Sequence, residues 1–325
     1  MRPKIIIGGI VLIAILIVGY TYLDSMLFDG VKPRPVNKNG IQATFFAQEG
    51  AVNQVAVVLI GGGVWGDYWG QEFAKANHVG LSLPYVNREG LPSLPEEIPL
   101  EYAETAVNWL QQQPEVNPDK IVVMGASRNA ELALLIAAYF PESVHGVIAY
   151  APSSVSWSNT VLPYNSDSVK PSWTFENKPV PFITMPKLKG GQAETLETLA
   201  YWQQGLSDSM AVSQAFIPVE NINGPILLLS GKDDQVWPSA MMGDMMAQRL
   251  GHHSFGFTFD HVQYEDAGHM ISGNPKQPSS QRQGKMEIDG KSYAYNFGGS
   301  PKGDYAAQQD ASKRVFQFLS RLSHE

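Results

Sequence analysis

Ser127, Asp234 and His269 follow one another along a chain of 325 residues, and each comes just after a short apolar run of the kind that forms a buried strand. A serine hydroxyl is a poor nucleophile on its own. An imidazole that removes its proton makes it a good one, and a carboxylate behind the imidazole fixes the tautomer and steadies its cationic form. The three residue types in this order point to acyl transfer through serine. Ser127 would be the nucleophile, His269 the general base and then acid, and Asp234 the group that orients His269. Asp233 is a rival for the acid role, but the Gly-x-x-Asp spacing ahead of Trp237-Pro238 favours Asp234.

Ser127 lies in Gly125-Ala-Ser-Arg-Asn129, between the apolar run 121–124 and an apolar helical pattern. A nucleophile elbow requires such a strand-turn-helix context. The sharp turn lifts the hydroxyl clear of the sheet and sets the next backbone N–H, that of Arg128, beside the developing oxyanion. Gly-x-Ser-x-Gly arises by chance in many proteins, and here Asn129 replaces the last glycine, so the motif alone also fits an ordinary serine in a turn. The glycine cluster Gly61-Gly-Gly63 follows the apolar run 55–60. It lacks the spacing of a phosphate cradle and suits instead the close approach of bare backbone to a reacting oxygen, with Gly63 as the second oxyanion donor. His252, His253, His261 and Asp266 offer no two-histidine spacing for a metal, so no metal and no other cofactor is expected.

These side chains need a scaffold that brings distant segments together. Apolar runs at 55–60, 80–85, 121–124, 147–150, 224–230 and 257–264 are separated by helical patterns. That alternation predicts an α/β fold, a mostly parallel central sheet with helices on both faces and its chemistry at the strands' carboxyl ends. Residues 154–223, rich in proline and tryptophan, read as an irregular, lid-like excursion over the sheet with a short helix between residues 195 and 205. Met241, Met242, Met245, Met246 and Leu250 form an apolar stripe at helical spacing, either core or an acyl-chain surface. Asp289-Gly290 between two strand-like runs signals a hairpin, and Ala311, Val315, Phe318, Leu319 and Leu322 one face of a closing helix.

With 44% hydrophobic and 17% charged residues, the chain can bury a full core. A net charge of -8 and no cluster of Lys and Arg argue against a nucleic-acid partner. The absence of cysteine excludes disulfides and a thiol nucleophile, and suits an exported protein. Arg2 and Lys4 precede an uncharged apolar run over residues 5–20, longer than the centre of a cleaved signal and without a cleavage-like site after it. Residues 1–28 are therefore expected to be an uncleaved transmembrane signal anchor, with residues 29–40 as linker and residues 41–325 as one catalytic domain outside the cytoplasm. The expected partners are a small acyl ester or thioester and, through the N-terminal helix, a membrane.

Residues 94–102, the Ser127 elbow ending in Ala130-Glu131, Ile217-Pro-Val-Glu220, residues 224–239 with Gly231-Lys-Asp-Asp234 at their centre, and Ala267-Gly-His269 together resemble one family. It is the C-terminal catalytic domain shared by acyl-CoA thioesterases and bile acid-CoA:amino acid N-acyltransferases, and the likeness covers residues 41–322. The resemblance implies an α/β-hydrolase fold with Ser127, Asp234 and His269 as nucleophile, acid and base. Family members built for transfer to an amine tend to carry cysteine at the nucleophile, so Ser127 implies hydrolysis. Three departures stand out. The N-terminal β-sandwich domain of many relatives is replaced by anchor and linker. Asn129 occupies a position where glycine is usual, which implies a rearranged elbow or weakened activity unless its neighbours make room. An extracytoplasmic domain would meet little acyl-CoA. The expectation is a membrane-anchored serine hydrolase acting through an acyl-serine. The alternatives are a catalytically silent binding protein of the same fold and an acyltransferase using the same triad.

Overall fold

The computed structural model describes residue 9 and residues 13–20, 22–23, 29–161, 166–279 and 281–324. The expected anchor falls largely outside these residues. Among the described residues, no helix is long and apolar enough to cross a membrane. Residues 13–20 are helical, and their large apolar side chains, Ile13, Ile15, Leu16, Ile17, Val18 and Tyr20, are exposed.

An eight-stranded sheet forms the centre. Its strands are β1 (Arg34–Lys38), β2 (Ile41–Phe46), β3 (Gln54–Ile60), β4 (Val79–Leu83), β5 (Val116–Ala126), β6 (Val147–Tyr150), β7 (Ile226–Gly231) and β8 (Phe259–Tyr264). They lie in the order β1-β2-β4-β3-β5-β6-β7-β8. β2 is antiparallel to both β1 and β4, and every later pairing is parallel. The pleat divides each inner strand between two cores. Ala56, Val58, Ile121, Val123, Ile226 and Leu228 face a core shared with α2 (Glu101–Gln111), α3 (Arg128–Tyr139) and α6 (Ser239–His252). Val57, Leu59, Val122, Met124, Leu227 and Leu229 face α1 (Gly63–Lys75) and α7 (Pro301–His324).

One expectation needs correction. Residues 29–40 are not simply a linker, because residues 34–38 form edge strand β1, paired with β2 through a turn at Asn39-Gly40. Both turn residues have positive φ, 55° and 80°, as a two-residue hairpin turn demands. In the methionine stripe, Met246 and Leu250 enter the main core, Met242 packs under the segment described next, and Met241 is exposed. The stripe therefore serves mainly as core.

Besides a 3-10 turn at Val219–Asn221, the described part of residues 154–223 carries two α-helices, α4 (Thr198–Gly205) and α5 (Ser209–Ala215). They share a third apolar cluster with hairpin β9 (Gln283–Ile288) and β10 (Lys291–Asn296): Trp157, Trp202, Trp237, Met242, Met286, Ile288 and Tyr293 are all buried in it. Asp289 and Gly290 make the hairpin turn, both at positive φ. The cluster contains Trp237, six residues past the end of β7, so this layer covers the carboxyl end of the sheet.

Candidate active site

β5 ends at Ala126 and α3 starts at Arg128, so Ser127 alone makes the turn, at φ 58° and ψ −126°. A non-glycine residue held there stores strain of roughly 1–3 kcal/mol, and such strain collects at functional positions. The Ser127 N–H is fixed by the Tyr150 carbonyl at 2.9 Å on β6. Gly125 is obligatory beneath it: a Cβ there would sit 2.1 Å from the Asn129 carbonyl oxygen.

Asn129, the departure from the usual glycine, leaves this geometry in place. Its carboxamide fills space left by Gly61, where a Cβ would lie 2.2 Å from Asn129 Nδ2. The Tyr85 hydroxyl donates to Asn129 Oδ1 at 2.8 Å. The room comes from a glycine in another loop, so the elbow is not rearranged.

The first turn of α3 is pinned by a buried charge network. Glu131 accepts from Arg128, from the Trp157 N–H at 3.1 Å and from the Trp173 indole at 2.7 Å. Arg128 also donates to the Ser172 hydroxyl at 2.6 Å. Burial pushes the Glu131 carboxyl above its ordinary pKa, against the opposing effect of Arg128 and the two N–H donors. Trp157, Ser172 and Trp173 belong to the irregular segment, so this pair ties elbow to lid. Sequence reasoning had met Glu131 only as part of a resemblance.

On the other side, Asp234 follows β7 and is buried. Its Oδ1 accepts from the N–H groups of Val236 at 2.9 Å and Trp237 at 3.2 Å, and its Oδ2 from the Ser239 hydroxyl at 2.7 Å. His269 Nδ1 donates to the same Oδ2 at 2.9 Å. That bond fixes the tautomer and leaves Nε2 as the acceptor. Asp233 points elsewhere, taking the Gly299 N–H at 2.8 Å and the Gln235 amide at 2.8 Å.

Glycines let these loops interlock. A Cβ on Gly231 would lie 2.2 Å from the Gly268 carbonyl oxygen, and one on Gly268 2.3 Å from that of Phe297. The Phe297 carbonyl in turn accepts the His269 N–H at 2.8 Å.

Ser127 and His269 line one cavity of about 100 Å³, closed by Trp202, Val236, Trp237, Tyr295 and Phe297. The Trp237 ring stands edge-on to His269, centroids 6.0 Å apart. Arg128 opens α3, so its N–H belongs to a first turn that has no intrahelical acceptors. Gly63, the other expected donor, opens α1 and lines a neighbouring cavity of about 220 Å³ with Thr44, Asp67, Ser82 and Arg88. The N–H groups of Gly61 and Gly62 are spent on the Leu83 and Leu59 carbonyls. Trp202, Tyr295 and Phe297 escaped sequence reasoning, which read their segments as a lid-like excursion and a hairpin but had no pattern to select the residues.

Strand order, elbow and the Asp234–His269 pair define an α/β-hydrolase fold. Solved structures agree on the fold: an α/β hydrolase, MGS-M1, from a Medee basin deep-sea metagenome library matches with TM-score 0.53 and 15% identity, over 92% of this chain and 100% of that one. A puromycin-hydrolyzing peptidase of Mycobacterium tuberculosis matches with TM-score 0.55 and 13% identity, over 90% of this chain and 39% of that one. Residues 98–324 match the family model described as BAAT / Acyl-CoA thioester hydrolase C terminal, and the chain belongs to that family. Among curated relatives, mouse mitochondrial acyl-coenzyme A thioesterase 2 is 28% identical over 91% of this chain, which spans 61% of that protein's length. Human acyl-coenzyme A thioesterase 6 is 26% identical over 91% of this chain and 67% of its own length.

Proposed function

We propose that the protein is a serine hydrolase that cleaves an ester or thioester through an acyl-serine intermediate, with Ser127, His269 and Asp234 as its triad. The observation that carries this reading is the buried Asp234–His269 hydrogen bond beside a serine held at positive φ, with serine and imidazole lining one cavity.

His269 Nε2 takes the Ser127 proton as Oγ attacks the acyl carbon. The carbonyl π electrons move to oxygen, and the Arg128 N–H receives that oxyanion, with the unspent N–H of Gly63 as its candidate partner across the glycine loop. Collapse expels the alcohol or thiol, which leaves with the proton held on His269. Water, deprotonated by the same imidazole, then attacks the acyl-serine and returns free acid and Ser127. Asp234 keeps Nδ1 protonated throughout and balances the transient imidazolium.

Relatives named as acyl-coenzyme A thioesterases support a thioester substrate. A membrane tether with the catalytic domain outside the cytoplasm is part of the proposal. It is supported by the uncharged apolar run behind Arg2 and Lys4, and it is checked by phase partitioning of the full chain and by protease protection. The decisive experiment is labelling with a fluorophosphonate probe. Wild type is expected to label and Ser127→Ala not to; a wild type that resists labelling while hydrolysing no acyl ester or thioester would refute the enzyme and leave a binding protein.

A further inference from the structure

His269 lies in a loop, residues 265–272, with no helix or strand of its own to hold it. The imidazole has to keep Nδ1 on Asp234 while presenting Nε2 to Ser127, and a misplacement of about 1 Å at such a group costs about 10²-fold in rate. Something outside the triad must therefore fix the backbone of this loop.

The start of α7 does so. Asp304 and Gln308 stand four residues apart on one face of that helix, and both are buried. Asp304 Oδ1 accepts the Gly268 N–H at 2.7 Å, and Gln308 Nε2 donates to the Met270 carbonyl at 2.9 Å. The residues immediately before and after His269 are thus held by two side chains of one helix. The N–H of His269 itself goes to the Phe297 carbonyl at 2.8 Å.

A buried carboxylate is costly unless it is paired. Arg282, just ahead of β9, pairs with Asp304. The same guanidinium donates to the carbonyls of Gly298 and, at 2.5 Å, Gly299, and the Arg282 carbonyl accepts the Phe297 N–H at 3.0 Å. Gly299 has no room for a side chain, since a Cβ there would lie 2.3 Å from both Asp304 Oδ1 and the Gly268 nitrogen. One clamp therefore carries the base and Phe297, a wall of the cavity around Ser127.

We infer that Asp304 and Gln308 are positioning residues for the general base, with Arg282 as the counterion that lets Asp304 stay buried. The inference rests on the hydrolase reading above. The test is kcat and KM of full-length variants on the fastest substrate from a panel of 4-nitrophenyl esters and acyl-CoA thioesters. Rates are taken per active site counted by end-point fluorophosphonate labelling, so that unfolded protein does not pass for slow protein. Asp304→Ala is expected to lower kcat about 10²-fold with KM within about threefold, the pattern of a lost transition-state interaction. Asp304→Asn keeps an oxygen for the Gly268 N–H and should recover at least about tenfold of that loss. Gln308→Met keeps the length of the side chain, disturbs no buried charge and removes the donor to Met270. It should lower kcat about tenfold with KM and Tm close to wild type. Wild-type kcat in Gln308→Met, or an asparagine no better than alanine at position 304, overturns the inference while hydrolysis itself stands. Should Asp304→Ala not fold, Gln308→Met decides alone. A wild type that neither hydrolyses the panel nor labels overturns the hydrolase reading and this inference with it.

Discussion

Asp234 receives hydrogen bonds from Val236, Trp237, Ser239 and His269, whereas the indoles of Trp202 and Trp237, a few ångströms away, give none. The acid side of the site is locked by hydrogen bonds before any ligand arrives, and the aromatic side is held by packing. Groups that move protons need fixed tautomers and distances, because a small misplacement costs rate steeply. The contrast separates the groups that carry the proton from the walls that enclose them.

The largest effect expected of that contrast concerns which carboxylate is locked onto His269. Asp234→Asn should lower kcat about 10⁴-fold, because the amide no longer holds the productive tautomer. Asp233→Asn removes a partner of Gly299 and should cost less than about tenfold. Equal losses in the two variants, measured on any hydrolysed ester, would erase the distinction between a buried acid at the imidazole and its exposed neighbour.

The elbow has a lock of its own. Glu131→Gln leaves the Arg128 guanidinium as a buried charge without its counterion, and breaking such a pair costs about 3–5 kcal/mol. Urea unfolding reads this directly. Replacing both partners, Arg128→Met with Glu131→Leu, should restore much of the loss, since two buried charges are then removed together. A single variant within about 1 kcal/mol of wild type would mean that the elbow does not depend on the pair.

The difference between the two sides also explains what the sequence could reveal. β3, β6, β7 and the second half of β5, residues 121–124, are apolar runs buried on both faces, so the parallel sheet followed from the pattern of apolar residues. Ser127, Asp234 and His269 each sit within a few residues of such a run, where type and spacing are informative. Edge strand β1 was missed although Asn39-Gly40 announced its turn, because proline, lysine and asparagine around it read as linker. α1 was missed because three glycines at its start hid Trp65, Tyr68, Trp69 and Phe73 at helical spacing. Short α5 carried a local signal, Asp208 capping the N–H groups of Met210 and Ala211. The aromatic roof had no such signal. Trp202, Tyr295 and Phe297 meet only through the third apolar cluster and the hairpin, and nothing in their local sequence selects them over other aromatic residues nearby.

A smaller effect tests how tightly the acid is held. Ser239 opens α6, and its hydroxyl donates to the same Asp234 oxygen that receives His269. Ser239→Ala takes away a buried, charge-assisted bond and should cost about 1.5–3 kcal/mol of stability by denaturant titration. Hydrolysis should persist, because the Val236 and Trp237 N–H groups still hold the other oxygen. Complete loss of activity in a folded variant would make Ser239 part of the proton path, contrary to the roles assigned above.

The smallest effect lies beneath the same helix. His261 on β8 has its ring against Gly243 of α6, where a Cβ would lie 2.3 Å from the imidazole, and Ser230 is 3.0 Å from its Nε2. Burial lowers its pKa below the ordinary value, and Asp244 at 3.2 Å opposes that only in part. Below about pH 6.5 the unfolded chain therefore binds a proton that the folded chain resists, so stability falls as pH falls from there toward the folded pKa. His78 and His145 are lowered by burial as well and add to the same slope. His261→Gln should flatten the decline in Tm between pH 7 and 5.5 without abolishing it. An unchanged slope would show that α6, and with it the Ser239 bond to Asp234, is seated independently of the charge on His261.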